Sequence, residues 1–175
     1  MADSPLPDRL VNPFAPSVKS SDRVATRPPS PSRDPEAFRM WSYKQSEDKN
    51  KRMADYHERS KGLTVYDAIS PPPDSNLCGG VAPCLITDSL RARLIPLCNL
   101  ALDKFHSDNP GANYVFENIV KTTGRATSGT TYYITFEARA VAASTSQTFQ
   151  AHVWDRHPDL GGPVVEECKL KQPLT

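Results

Sequence analysis

Between residues 132 and 139 apolar and polar side chains alternate with period two: Tyr132, Ile134, Phe136 and Ala138 fall on one side, Tyr133, Thr135, Glu137 and Arg139 on the other. That is the pattern of a half-buried β-strand. A second such run follows at Thr148–Trp154, with Phe149, Ala151 and Val153 opposite Gln150, His152 and Trp154, and the short polar stretch Val141–Gln147 suits a hairpin loop. Tyr114 to Thr122 reads as an earlier strand and Thr123 to Gly129 as the tight hairpin tip that joins it to the long one. Val164 to Lys171 supplies a last strand, with Cys168 and Leu170 inward and Lys169 and Lys171 outward.

The period changes ahead of these strands. Leu90, Leu94, Leu97, Ala101 and Phe105 recur at spacings of four, three, four and four, which lines one face of a helix, and Thr87-Asp88-Ser89 offers caps for its start. Pro96 either kinks this helix or sits in its first turn, and both readings stay open. Further upstream, Asp34-Pro35-Glu36 is a helix start and Gly62 a stop after Lys61. Phe38, Met40, Trp41 and Tyr43 are apolar, but Lys44 to Arg52 is unbroken polar sequence, so this helix is expected to be solvated and loosely docked. Its functional alternative is a partner-binding helix that uses Phe38 and Trp41.

Composition divides the chain. Eleven of the 17 prolines lie in residues 1–76, eight of them before residue 36. Ordering so apolar-poor a segment would cost ~1–2 kcal/mol per residue with little burial in return. The expected layout is a disordered Pro/Ser-rich tail over 1–33, a charged helix over 34–62, a linker over 63–76 and a folded unit over 77–175. Within the tail, Arg27–Arg33 is a candidate proline-directed phosphorylation site or Pro-motif ligand. The folded unit is expected to be α+β, with one α-helix packed on a curved antiparallel sheet of four to five strands.

Charge and chemistry mostly exclude. The 21 basic and 20 acidic side chains are interspersed, for a formal charge of +1, without the basic face of a nucleic-acid binder. There is no run of eighteen apolar residues and no apolar stretch of signal-peptide length near residue 1, so neither membrane nor export is expected and the cytoplasm or nucleus is the default. Cys78, Cys84, Cys98 and Cys168 are then expected as free thiols, and neither they nor His152 and His157 show metal-ligand spacing. No nucleophile, carboxylate pair or phosphate loop accompanies the histidines, so no catalytic residue, metal or cofactor is assigned.

Two segments carry a family resemblance. Leu97-Cys-Asn-Leu-Ala-Leu-Asp-Lys-Phe-His106 is similar to the "LARFAVDEHN" helix segment of plant cystatins, and Ser128-Gly-Thr-Thr-Tyr-Tyr-Ile-Thr-Phe-Glu-Ala138 resembles their "AGTLYYITLEA" strand. Gly79-Gly80-Val81 stands at about the right distance before the helix. Tyr56–Asp67 and Val165–Lys171 look closer still to the plant cystatin-related proteins. The resemblance covers roughly residues 77–172 and implies a cystatin/monellin-like fold.

It also implies a protein that binds papain-like cysteine proteases through a non-covalent wedge. Without an export signal it is expected to be intracellular, its altered tip and loop residues make the expected inhibition weak, and a hairpin-rich fold is expected as monomer or strand-swapped dimer. The protease-binding residues carried over are Gly79 and Gly80 of the trunk, Arg125, Ala126, Thr127, Ser128 and Gly129 of the first hairpin tip, and His157 and Pro158 of the second loop. The family tip is Gln-x-Val-x-Gly, and here Arg125 and Thr127 occupy the Gln and Val positions. His157 and Pro158 align with the family Pro-Trp. An alternative implied by the same resemblance is a non-inhibitory protein-interaction module of the cystatin-related branch. From the residues alone, Gly129 serves equally as a positive-φ hairpin position and the glycine pair as a flexible entry to the domain.

Overall fold

The computed structural model describes residues 35–75, 79–143 and 145–172. In chain order it has helix α1 (Pro35–Ser60), strand β1 (Ala82–Pro83), helix α2 (Asp88–Asp108) and strands β2 (Tyr114–Thr127), β3 (Gly129–Ala140), β4 (Ser146–Asp155) and β5 (Val164–Leu170). Short 3-10 turns lie at Val65–Asp67 and Pro158–Leu160. The strands form one antiparallel sheet in the order β1-β2-β3-β4-β5, so the protein is α+β, at the upper end of the expected strand count. The proline-rich tail expected at 1–33 and Cys78 lie outside the described residues.

Helix α2 forms where its apolar spacing predicts. The Thr87 hydroxyl accepts the Leu90 N–H at 3.2 Å, satisfying one of the donors a helix start leaves open. At the other end both the backbone N–H and the side-chain amide of Asn109 donate to the Phe105 carbonyl. Pro96 lies inside the helix, not in its first turn. The ring withholds a hydrogen bond from the Ala92 carbonyl, and both residues are exposed, so water can take its place. All five predicted face residues are buried, joined by Cys98 and Leu102.

That face meets the inner side of the sheet. Tyr132, Ile134, Phe136 and Ala138 of β3 and Phe149, Ala151 and Val153 of β4 are buried against it. Phe105 meets Phe149 edge-on at 5.1 Å, and Phe149 stacks on Phe136 at 5.6 Å. Such pairs add about 0.5–1.5 kcal/mol each beyond burial. Register shifts at Phe116/Asn118 and Ile119/Lys121 leave Glu117 and Val120 as extra residues in β2, and bulges of this kind bend a strand and raise its twist.

Two expectations for β2 and β3 change. β2 does not stop at Thr122 but runs on to Thr127, because Thr123, Gly124, Arg125 and Ala126 continue the ladder with Tyr133, Tyr132, Thr131 and Thr130. The tip is therefore shorter than the expected Thr123–Gly129. β3 is also not half-buried: Thr131 to Phe136 are buried on both sides. Of the stretch expected as a linker, Val65–Asp67 crosses the outer face of the sheet. The Tyr66 ring meets Tyr133 edge-on at 5.7 Å, Asp67 pairs with Lys121, and the Thr123 hydroxyl donates to the Val65 carbonyl. His152 stacks on the same Tyr133 at 4.6 Å.

On β5, Cys168 and Leu170 pair with Ala151 and Phe149 on the inner face, as expected, although Leu170, at the end of the strand, is still 37% exposed. Helix α1 buries none of its residues, and its last turns are tied back by an exposed Arg52–Asp74 ion pair. Cys84, Cys98 and Cys168 are free thiols, and burial pushes them up to about 11, 12 and 12 respectively, so they stay protonated. No helix among the described residues is long and apolar enough to cross a membrane.

Leu94, with no exposed surface, reports on the α2–sheet contact. Leu94→Ala is expected to lower the unfolding free energy by about 2–5 kcal/mol, measured by urea denaturation. His152 gives a pH signature. Burial beside Tyr133 lowers its imidazole below the ordinary 6.5, with Glu166 and Glu167 opposing and Arg125 assisting. The unfolded chain then binds the proton first, so stability is full above about pH 6.5 and declines as pH falls through the lowered value. His152→Gln should flatten that part of the stability–pH curve.

Candidate functional site

The register decides which loops share an end of the sheet. Ala82 pairs with Gly124 and β1 runs antiparallel to β2, so the residues before Ala82, Gly79 and Gly80 among them, lead toward the β2–β3 tip. Thr127 pairs with Gly129 and Thr130 with Asp155, which places the start of the β4–β5 loop level with that tip. Trp154 pairs with Val164, so the loop returns at the same end. The three expected segments therefore lie side by side, in sheet order, at one end. Gly79, Gly80, Arg125, Ala126, Thr127, Ser128, Gly129, His157 and Pro158 are all exposed there.

The tip is held by close backbone approach. Gly129 has φ +115, and a Cβ added to it would sit 2.3 Å from the Asp155 carbonyl oxygen and 3.1 Å from the Arg156 Cα. Both the torsion and the contact require glycine. The two readings of this residue thus converge, since the positive-φ turn is what presses the tip against the second loop. Cross-strand pairing puts the Arg125 side chain on the outer face beside Thr131 and Trp154, with Thr127 on the same side. Ser128 and the flanking backbone form the apex.

The second loop is built before any partner arrives. Pro158–Leu160 makes a 3-10 turn with His157 at its cap, and Gly161, at φ +92, returns its N–H to the Pro158 carbonyl at 2.9 Å. Arg156 Nε donates to the Gly162 carbonyl at 2.9 Å while its guanidinium lies 5.1 Å above the Trp154 ring. Trp154, on the outer face with Gln150 and His152, is half-buried with this guanidinium over its ring. Beneath the loop, Asp155 is buried and accepts from Arg93 Nε at 2.6 Å, tying α2 to the end of β4.

Sequence reading missed three contributors. The Arg93–Asp155 pair joins residues 62 apart, and nothing local marks it. Arg156 over Trp154 is an i, i+2 contact on a strand end, which alternation alone could have suggested. Leu160 is an exposed aliphatic side chain in the middle of the second loop, visible in the sequence but not singled out.

As chemistry, the edge offers exposed glycines, short polar side chains, the Arg125 cation, two fixed turns and the apolar side chains of Ala126, Pro158 and Leu160. It is an arrangement for contact, and at Gly79 and Gly80 nothing lies within 4 Å of an added Cβ. Among the described residues no group of three His, Cys, Asp or Glu side chains is placed to hold a metal ion. No protein-family model matches the chain, and no curated protein matches it significantly.

Gly129→Ala is expected to cost about 2–4 kcal/mol through the positive φ and the clash with Asp155. Ser128→Ala, one residue away and exposed, should stay within about 0.5 kcal/mol. Thermal or urea unfolding of the two variants checks the pair.

Proposed function

We propose that this chain is an intracellular cystatin-fold protein that binds, and weakly inhibits, papain-like cysteine proteases by inserting a preformed wedge into the active-site cleft. The observation that carries this reading is the alignment of Gly79-Gly80, the Arg125–Gly129 tip and the His157–Pro158 loop at one end of a sheet that packs on a single helix. The segmental resemblance to plant cystatins, which named those three segments, supports it. Each part has a physical task. The glycine pair lets backbone approach a cleft wall without a Cβ, the tip fills the centre, and the 3-10 loop braces the far side. Because the tip and loop are already ordered, little conformational entropy is lost on docking.

The weakness follows from three departures from the family pattern. Thr127 brings a hydroxyl whose burial without a partner costs ~1–3 kcal/mol. Arg125 must be desolvated or turned aside at the rim, and its place on the outer face beside Trp154 allows the second. His157-Pro158 provides no aromatic anchor of the kind worth ~2 kcal/mol or more in an interface core. At about tenfold per 1.4 kcal/mol, these changes together remove several powers of ten in affinity.

A second reading, a non-inhibitory interaction module, has one observation in its favour. Phe38, Met40 and Tyr43 are 45%, 66% and 69% exposed on α1, and Phe38 stacks on Trp41 at 5.9 Å without a core to join. An aromatic-rich helix end of this kind suits a partner's groove.

Titrating papain with the full chain separates the two. The wedge reading expects dose-dependent inhibition in the micromolar range, strengthened at least about tenfold by Arg125→Gln combined with Thr127→Val. Folded protein that neither inhibits nor binds papain at high micromolar concentration, with or without those substitutions, would leave the interaction module as the account.

A further inference from the structure

β5 is the last strand of the sheet, and no element among the described residues pairs with its free side. The direction of its peptide groups can be read from one bond. The Lys171 N–H donates to the Thr148 carbonyl at 2.8 Å. Residues of an antiparallel strand turn alternately toward and away from their neighbour, so Lys169 and Glu167, opposite Gln150 and His152, also face β4. Cys168 and Leu170 then turn their N–H and C=O groups outward. Natural edges are blunted by bulges, prolines or inward charges. β5 has a bulge at Glu166, where the register shifts between His152 and Val153, but the run 167–170 beyond it is regular and has no proline.

The outer-face side chains of this run alternate with the outward peptide groups: Glu167, Lys169 and, just beyond the strand, Lys171. Glu167 and Lys169 pair with one another at 2.9 Å, each about half exposed. Their order leaves a single register in which opposite charges face and like charges do not. A second copy approaching antiparallel is related by a two-fold axis. An axis at Glu167 sets that carboxylate against its own copy, and one at Lys169, although it places Glu167 opposite Lys171 twice, sets two ammonium groups together. At Leu170 the axis sets Lys169 against Lys171 of the second copy. An axis at Cys168 alone places Glu167 opposite Lys169 of the second copy, twice, with no like charges facing, and lets the two Cys168 peptide groups exchange both backbone hydrogen bonds.

We propose that β5 pairs antiparallel with β5 of a second copy about an axis at Cys168, joining two five-stranded sheets into one. No strand is exchanged, so this dimer differs from a strand-swapped one. Because Val164 lies at the Gly129 end of the sheet and the partner strand runs the other way, the two loop edges point to opposite ends and both stay free. The ladder is short, so association is weak and concentration-dependent. None of this rests on the protease reading.

Sedimentation equilibrium of the full chain tests it. The expected result is a reversible monomer–dimer equilibrium whose dissociation constant rises about tenfold or more in Lys169→Glu, which places like charges opposite each other twice. The swap Glu167→Lys with Lys169→Glu restores opposite charges in the same register and should return dimerisation to within a few-fold of the original. Monomer throughout the accessible concentration range, a dimer indifferent to Lys169→Glu, or one that the swap fails to restore would each overturn the proposal. The register is tested separately by oxidising an equimolar mixture of the E167C and K169C chains. The mixed disulfide should form faster than either homodimeric one, and equal rates would refute the axis at Cys168. Both side chains are surface groups, and unchanged circular dichroism verifies that the variants fold.

Discussion

The contact between the apolar face of α2 and the inner side of β3 and β4 is the constraint from which the rest of this structure follows. Leu94, Leu97, Cys98, Ala101, Leu102 and Phe105 face Tyr132, Ile134, Phe136, Phe149, Ala151 and Val153, all of them buried. With side-chain period two, a slip of one residue in either strand would turn its whole apolar set outward and forfeit that burial. The helix therefore fixes register across the sheet, and register fixes which loops meet. The pairing of Thr130 with Asp155 and the seating of Gly129 on the Asp155 carbonyl are downstream of that choice. Arg93 adds a direct tie, because its pair with Asp155 links α2 to the strand end under both loops.

The outer face shows how a short segment can complete a fold. Val65–Asp67 has no core of its own, yet Tyr66 covers Tyr133 while Asp67 and the Val65 carbonyl engage Lys121 and Thr123. Hydrogen bonding to Lys121, and then to Thr64, holds the Asp67 carboxyl below its ordinary range, so the strap is best fastened when that group is charged. This cover helps bury the outer side of β3 at Tyr133. The cover stops short of β5, and the edge strand keeps its charged outer side chains in solvent.

Much of this was legible in the sequence, and the failures share a cause. Helix α2 could be read because five aliphatic and aromatic residues repeat at helical spacing, and β3 and β4 because their alternation is strict. The three segments of the loop edge were nameable from resemblance to plant cystatins, although periodicity alone has no means of bringing Gly79, Gly129 and Pro158 to one end. The extent of β2 was not legible: Thr123, Gly124 and Arg125 look like turn residues, and only their partners Tyr133, Tyr132 and Thr131 keep them extended. The docking of Tyr66 was hidden for the same reason, since a tyrosine in a short segment that leads into a run of three prolines reads as linker until the ring it covers is known. Arg93 and Asp155 could not be matched by any local rule. Pairings distant in sequence settled each of these points, and local propensity could not.

The central claim, that the β2–β3 tip is seated against the β4–β5 loop through Gly129, is tested most directly by proton NOE measurements on the folded protein in solution. Strong contacts from the Gly129 α-protons to Asp155 and to the Arg156 α-proton, together with the cross-strand contact between Thr130 and Asp155, are predicted. Their absence in a spectrum that still shows the Phe136–Phe149 contact would mean that the sheet forms without bringing the two loops together, and the loop edge described above would not exist.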